Sequence, residues 1–123
     1  MNSFHLRAVG NLARAPEMTC NGGVTCTRFC LVGDDFAGRD ESGEAREVVT
    51  SLWFVAFGAM AEAIARHARR GDQLIVDARV RANNWTDSDG ERTFGHSFIC
   101  EGFRFGAPGR AKREELDAAR AEA

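Results

Sequence analysis

Two tryptophans, several phenylalanines and a set of arginines fall at alternate positions of strand-like segments, a pattern suited to holding a polymer that is both flat-ringed and negatively charged. In Glu47 to Gly58, EVVTSLWFVAFG, alternation puts Val49, Ser51, Trp53, Val55 and Phe57 on one face and Val48, Thr50, Leu52, Phe54 and Ala56 on the other. A strand apolar on both sides is normally sandwiched, but a 123-residue chain is too small for a large two-sided sheet. Leu52, Phe54 and Ala56 are therefore expected to fill a small barrel, leaving Trp53 and Phe57 as flat rings on its outside. In Asp72 to Trp85 the same alternation gives a core face of Leu74, Val76, Ala78 and Val80 and an outer face of Arg79, Arg81, Asn83 and Trp85.

Other chemistry is poorly supported. Catalysis needs a nucleophile, a base and an orienting group that converge, but His5, His67 and His96 are scattered and no phosphate-binding glycine loop precedes a helix, so no enzyme and no cofactor are expected. The four cysteines, Cys20, Cys26, Cys30 and Cys100, contain no C-x-x-C pair; they are expected as reduced thiols without a metal. No segment has the roughly 20 apolar residues that cross a bilayer, and MNSFHLRAVG lacks the start of a signal peptide, so a cytoplasmic protein is expected. The formal net charge of −2 speaks against a broadly basic surface for duplex DNA. Six acids, Asp34, Asp35, Asp40, Glu41, Glu44 and Glu47, cluster in one stretch, and Lys112 is the single lysine beside many arginines. That arginine bias suits a groove for charged rings, and it equally follows from genome base composition.

The elements that must position these residues run in a simple order. Phe4 to Gly10 is a first strand, Asn21-Gly22-Gly23 a turn, and Val24 to Gly33 a second strand with Phe29 and Leu31 on one face and Cys26, Arg28 and Cys30 on the other. Asp34 to Arg46 reads as a flexible hairpin loop in which Phe36 has no core to join. After the central strand, Ala59 to Arg70 has helical period with Met60, Ile64 and Ala68 aligned, and Gly71 is expected to stop it. Arg66, Arg69 and Arg70 crowd its last turn, where the helix dipole accounts for them as well as a phosphate does. Asp87-Ser88-Asp89-Gly90 is a hairpin turn, and Glu91 to Phe105 a last strand offering Phe94, Phe98 and Ile99 to the core. Residues 1–105 thus read as one domain, all-β with one helix, in the order of an OB-fold: a five-stranded Greek-key barrel with its helix between strands three and four. Residues 106–123 read as a charged, flexible tail with little to bury.

At several separated points the sequence resembles the bacterial single-stranded DNA-binding proteins, the SSB family. Val9-Gly10-Asn11-Leu12 with Ala15-Pro16-Glu17 looks like the family's opening V-G-N-L…D-P-E, and Asn21-Gly22-Gly23 before Phe29 matches its next turn and strand. Ala56-Phe57-Gly58, Ala61-Glu62 and Arg70-Gly71 are similar to its F-G…A-E…K-G segment, and Trp85-Thr86-Asp87 with Asp89-Gly90 to its W-x-D-x-x-G hairpin.

The resemblance implies that Phe36, Phe57 and Trp85 occupy base-stacking positions. The family's other stacking tryptophan falls at Ser51, two residues before Trp53 on the same face, so either position is open. Arg70 and Arg81 match basic positions facing the DNA backbone, whereas Asn83 and Ala59 replace groups that are often basic. A homotetramer, favoured over a dimer, and a role on single-stranded DNA in replication, recombination or repair at the nucleoid are implied as well. The family's glycine-rich linker and acidic tip, which recruit replication and repair proteins, have no counterpart in Ala121-Glu122-Ala123. A different reading is an OB-fold interaction module of a replication-restart or conjugation complex that binds DNA weakly.

Overall fold

Alternation in the central strand does close a barrel. The computed structural model describes residues 1–86 and 88–122, with the side chains of all of these except Asn84, Trp85, Arg92, Thr93, Phe94, Ala111 and Glu122. In chain order come β1 (Phe4–Leu12), β2 (Glu17–Asn21), β3 (Val24–Arg39), β4 (Ala45–Phe57), α1 (Gly58–His67), β5 (Gln73–Thr86), β6 (Arg92–Phe105) and α2 (Arg110–Glu122). The sheet order is β1-β5-β6-β4-β3-β2, and an additional β1–β3 pairing joins its ends into a ring of five long strands. With the short β2 set aside, α1 lies between the third and fourth long strands, which is the OB-fold arrangement.

Two seams close the ring. β1 runs antiparallel to β5 from Phe4↔Val80 to Asn11↔Gln73, then meets β3 at Asn11↔Val32 and Leu12↔Leu31. Gly10 sits where these strands converge: a Cβ there would lie 3.0 Å from the Val32 carbonyl oxygen and 3.2 Å from the Leu31 Cβ, so a side chain would wedge the seam open. On the other side β4 and β6 pair in parallel at Phe54↔Phe98 and Val55↔Ile99.

Inside the ring Phe29 and Phe54 stack with centroids 5.5 Å apart, and Leu74, Val76 and Ala78 complete the wall. Ala61, Ile64 and Ala68, one stripe of α1 and the residue that follows it, plug the barrel end, with Met60 packed at the margin. Thr27 is fully buried, and its hydroxyl donates to the Ala61 carbonyl at 2.7 Å, tying the helix to β3.

Three expectations need correction. The acidic segment 34–46 is not a flexible loop but mostly ladder: β3 continues to Arg39 and β4 begins at Ala45, with Asp34↔Val49, Asp35↔Val48 and Phe36↔Glu47 paired. Backbone pairing is indifferent to exposed carboxylates, and it is interrupted by a bulge between Phe36 and Arg39 and by the Asp40–Glu44 turn. The Asp40 carboxylate accepts from the Ser42 hydroxyl and amide and from the Glu44 amide, and the Ser42 hydroxyl foremost holds its pKa below the ordinary value. Gly71 does not stop α1; the helix ends at His67, with Ala68 extended, and Gly71 lies in the turn beyond at φ +91°. Ile99 pairs with Val55 and Arg79 on the outer face, since its neighbour Phe98 takes the inner one.

Asp72 explains the early helix end. It is 1% exposed, and its carboxylate accepts from the Arg69 amide and from the Gly109 amide, both at 2.8 Å. The chain therefore leaves the helix before Arg69 to turn an amide toward this carboxylate. The same group fastens the segment after β6, beyond which α2 runs; Glu115 pairs with Arg69 at 3.1 Å, and Lys112 donates to the His67 carbonyl and lies 5.0 Å from the Phe105 ring centroid. Among the described residues the rest of α2 is exposed. The turn residue Asp87 lies outside the described residues, as do the side chains of Trp85 and Phe94.

Candidate nucleic-acid interface

Register fixes which side chains share the outer surface, because residues paired across a ladder point to one face. On the β3–β4 ribbon the outer row is Cys26↔Phe57, Arg28↔Val55, Cys30↔Trp53, Val32↔Ser51, Asp34↔Val49 and Phe36↔Glu47. Trp53 is 38% exposed and Phe57 48%, so both rings stand open on a strand whose opposite face, Phe54 and Ala56, is sealed in the core.

The parallel seam carries this face onward. Val55 pairs with Ile99 and Ile99 with Arg79; one step earlier Trp53 comes level with Ser97, which pairs with Arg81. Trp53 and Arg81 are thus two strand spacings apart, ~10 Å. Between them lies a groove of about 320 Å³ lined by Arg28, Trp53, Val55, Asn83, His96 and Ser97, with Phe54 and Phe98 beneath.

Two cations attend the Trp53 ring: the Arg14 guanidinium carbon is 5.4 Å and that of Arg28 5.1 Å from its centroid. Arg28 arrives by register, opposite Val55. Arg14 arrives by barrel closure, since the amide of its neighbour Ala13 donates to the carbonyl of Cys30, the residue facing Trp53, at 3.0 Å. Sequence reasoning missed Arg14 altogether, set His96 aside as one of three scattered histidines and named Arg28 only as a face residue.

The expected residues divide by surroundings. Arg81 is exposed, with no ion pair among the described residues, whereas Arg79 lies 3.2 Å from Glu101, which also takes His5 at 3.2 Å. Phe36 is 60% exposed on the same outer row, but six residues from Cys30 along β3, ~20 Å away, and flanked by Asp34, Asp35 and Glu47. Arg70 is exposed in the turn after α1 and does not line the groove. The Trp85 backbone pairs with Thr93 in the β5–β6 hairpin; its ring lies outside the described side chains.

A closed five-stranded barrel with its helix between the third and fourth long strands is an OB-fold barrel, and this one carries exposed rings and guanidinium groups on one face. The chain belongs to the single-strand binding protein family, whose sequence model matches residues 1–105. It is 28% identical over 91 residues to single-stranded DNA-binding protein 1 of Xylella fastidiosa, covering 72% of this chain and 66% of that one. It is also 28% identical over 98 residues to the single-stranded DNA-binding protein of Enterococcus faecalis, covering 78% of this chain and 50% of that one. The chain spans between half and two thirds of the length of these curated relatives. Among solved structures, the Plasmodium falciparum SSB complex with ssDNA superposes with a TM-score of 0.74 at 16% identity, covering 87% of this chain and 100% of that one. A deletion mutant of the Thermus aquaticus single-stranded DNA-binding protein gives 0.72 at 26% identity, covering 87% and 51%.

Proposed function

We propose that this protein binds single-stranded DNA without sequence preference and shields it during replication, recombination or repair. Bases stack on Trp53, Phe57, Trp85 and Phe36, every base having a π face, while Arg70, Arg79 and Arg81 meet phosphates. The observation that carries this reading is the pair of open rings, Trp53 and Phe57, on one row beside the groove that Arg28, Asn83 and His96 line. Family membership and the names of the relatives support it. The chemistry is binding alone, with no bond made or broken and no cofactor.

Self-association as a homotetramer belongs to the same proposal. Among the described residues the outer edge of β1 from Phe4 to Gly10 has no strand partner, and Phe4 and Val9 are 76% and 55% exposed, so a second copy offers both hydrogen bonds and apolar cover. A sedimentation mass of one 13.5 kDa chain at micromolar concentration would exclude it.

A polythymidine titration tests the main claim: saturation at stoichiometric concentrations is expected. One feature favours an interaction module instead, namely the acidic end of the β3–β4 ribbon, where Phe36, Val48 and Val49 stand exposed among carboxylates that repel phosphate. No binding of polythymidine above micromolar concentration would turn the assignment to that reading.

A further inference from the structure

We propose that Arg14, Arg28 and Trp53 form one nucleotide subsite of this surface, in which the indole takes a base and the two guanidinium groups take the phosphates flanking it. This rests on the single-strand binding reading and adds to it the residues that hold the backbone where stacking occurs.

Charge pairing singles these arginines out. Several of the chain's arginines are already engaged: Arg7 with Asp77, Arg69 with Glu115, Arg79 with Glu101 and Arg110 with Glu114. Arg14 and Arg28 have no carboxylate partner among the described residues, and both rest on the same ring. An exposed cation–π contact is weak and easily exchanged, whereas a guanidinium meeting a phosphate gains a charge-assisted, bidentate hydrogen bond. A base arriving on the indole therefore displaces guanidinium groups that find their better partner in the phosphates attached to that same nucleotide. The ring is vacated and the phosphates are neutralised in one event.

The fold holds both arginines in range before any ligand arrives. Arg28 lies on the paired β3–β4 ladder, and Arg14 follows the residue whose amide is bonded to the Cys30 carbonyl directly opposite Trp53. Arg28 lines the groove and Arg14 sits against the Trp53 ring that lines it, so an extended strand crossing from that ring toward Ser97 and Arg81 meets both.

The test measures polythymidine affinity against salt for the wild type, Arg14→Ala, Arg28→Ala, the double variant, Arg28→Lys and the remote control Arg110→Ala, with thermal melts to confirm folding. A phosphate contact on single-stranded nucleic acid contributes about 0.7 to the slope of log affinity against log salt. Each single alanine variant is expected to flatten the slope by about 0.7 and the double variant by about 1.4, with Arg28→Lys and Arg110→Ala near the wild type. If the wild type binds and the folded alanine variants keep its slope, the subsite is overturned and the single-strand reading stands. If the wild type does not bind polythymidine, both fall together.

Discussion

Glu101 holds Arg79 in an ion pair of 3.2 Å, while Arg81, two residues further along β5 on the same face, has no such partner among the described residues. A phosphate approaching Arg79 must displace a carboxylate that His5 also shares, and one approaching Arg81 displaces only water. Arg81→Ala is therefore expected to reduce the salt slope of polythymidine binding by about 0.7, and Arg79→Ala by less than half of that. Glu101→Gln should increase affinity by freeing Arg79. Equal slopes for the two alanine variants would show that Glu101 does not restrain its neighbour.

Asp72 makes a second prediction, on stability. Removing its carboxylate leaves the amides of Arg69 and Gly109 without an acceptor in a buried place, a cost of about 1–3 kcal/mol for each group that stays dry. Asp72→Ala should lower the melting temperature measurably, and Gly109→Ala should do so too, because a Cβ at Gly109 would come within 2.5 Å of the Gly71 carbonyl carbon. Deleting everything after Pro108 removes the Gly109 partner and α2, but no ring, so polythymidine affinity is expected to stay within a few fold. A hundredfold loss of affinity would make α2 part of the binding surface.

The fold was legible because its main signals are local. Alternation from Glu47 to Phe57 and from Gln73 onward sorts residues onto two faces without knowledge of any partner strand, and it placed Phe54, Ala56, Leu74 and Val76 in the core. The Trp53 surroundings were less legible. Reading 34–46 as a loop hid the register, and counting outward from the Asp40–Glu44 turn does not recover it. A bulge between Phe36 and Arg39 shifts the pairing by one, from Arg39↔Ala45 to Phe36↔Glu47 and Cys30↔Trp53, which is what sets Arg28 beside the ring. No local signal marks Arg14, whose position depends on the β1–β3 seam. The end of α1 was misread because Gly71 has the form of a helix-ending glycine, whereas the Arg69 amide is drawn out of the helix by the Asp72 carboxylate, whose other oxygen is held by the Gly109 amide 37 residues away.

Burial raises the Cys100 thiol from 9.0 to about 11, against which a backbone hydrogen bond with Gly102 works only in part. In the unfolded chain the thiol ionises at its ordinary value, so between 9.0 and about 11 the unfolded state holds fewer protons than the folded one. Stability is thus intact below pH 9 and falls as pH rises through that window. Urea midpoints should drop on going from about pH 8 to about pH 10, and the drop should shrink in Cys100→Ala. Labelling should follow exposure, with Cys20 alkylated in the native protein and Cys100 only on unfolding. A thiol at Cys100 that reacts as readily as Cys20 would refute this picture.

The rings supply the last prediction. Trp53 and Phe57 share the outer row of β4 beside the groove, whereas Phe36 stands ~20 Å along the ribbon among acids that oppose a phosphate backbone. Stacking is worth about 1–3 kcal/mol per base, so Trp53→Ala and Trp85→Ala should each weaken polythymidine binding roughly tenfold to a hundredfold at fixed salt, and Phe36→Ala by less. Ser51 lies two residues from Trp53 on that row, so Ser51→Trp adds a ring within the same surface and should strengthen binding. Emission separates the two tryptophans. In Trp85→Phe the remaining indole is Trp53, which starts with two guanidinium groups near its ring, and saturating polythymidine should quench it as a base replaces them. Emission unchanged in that variant while DNA is demonstrably bound would move the stacking surface away from β4 and leave Trp53 as a packing residue between protomers.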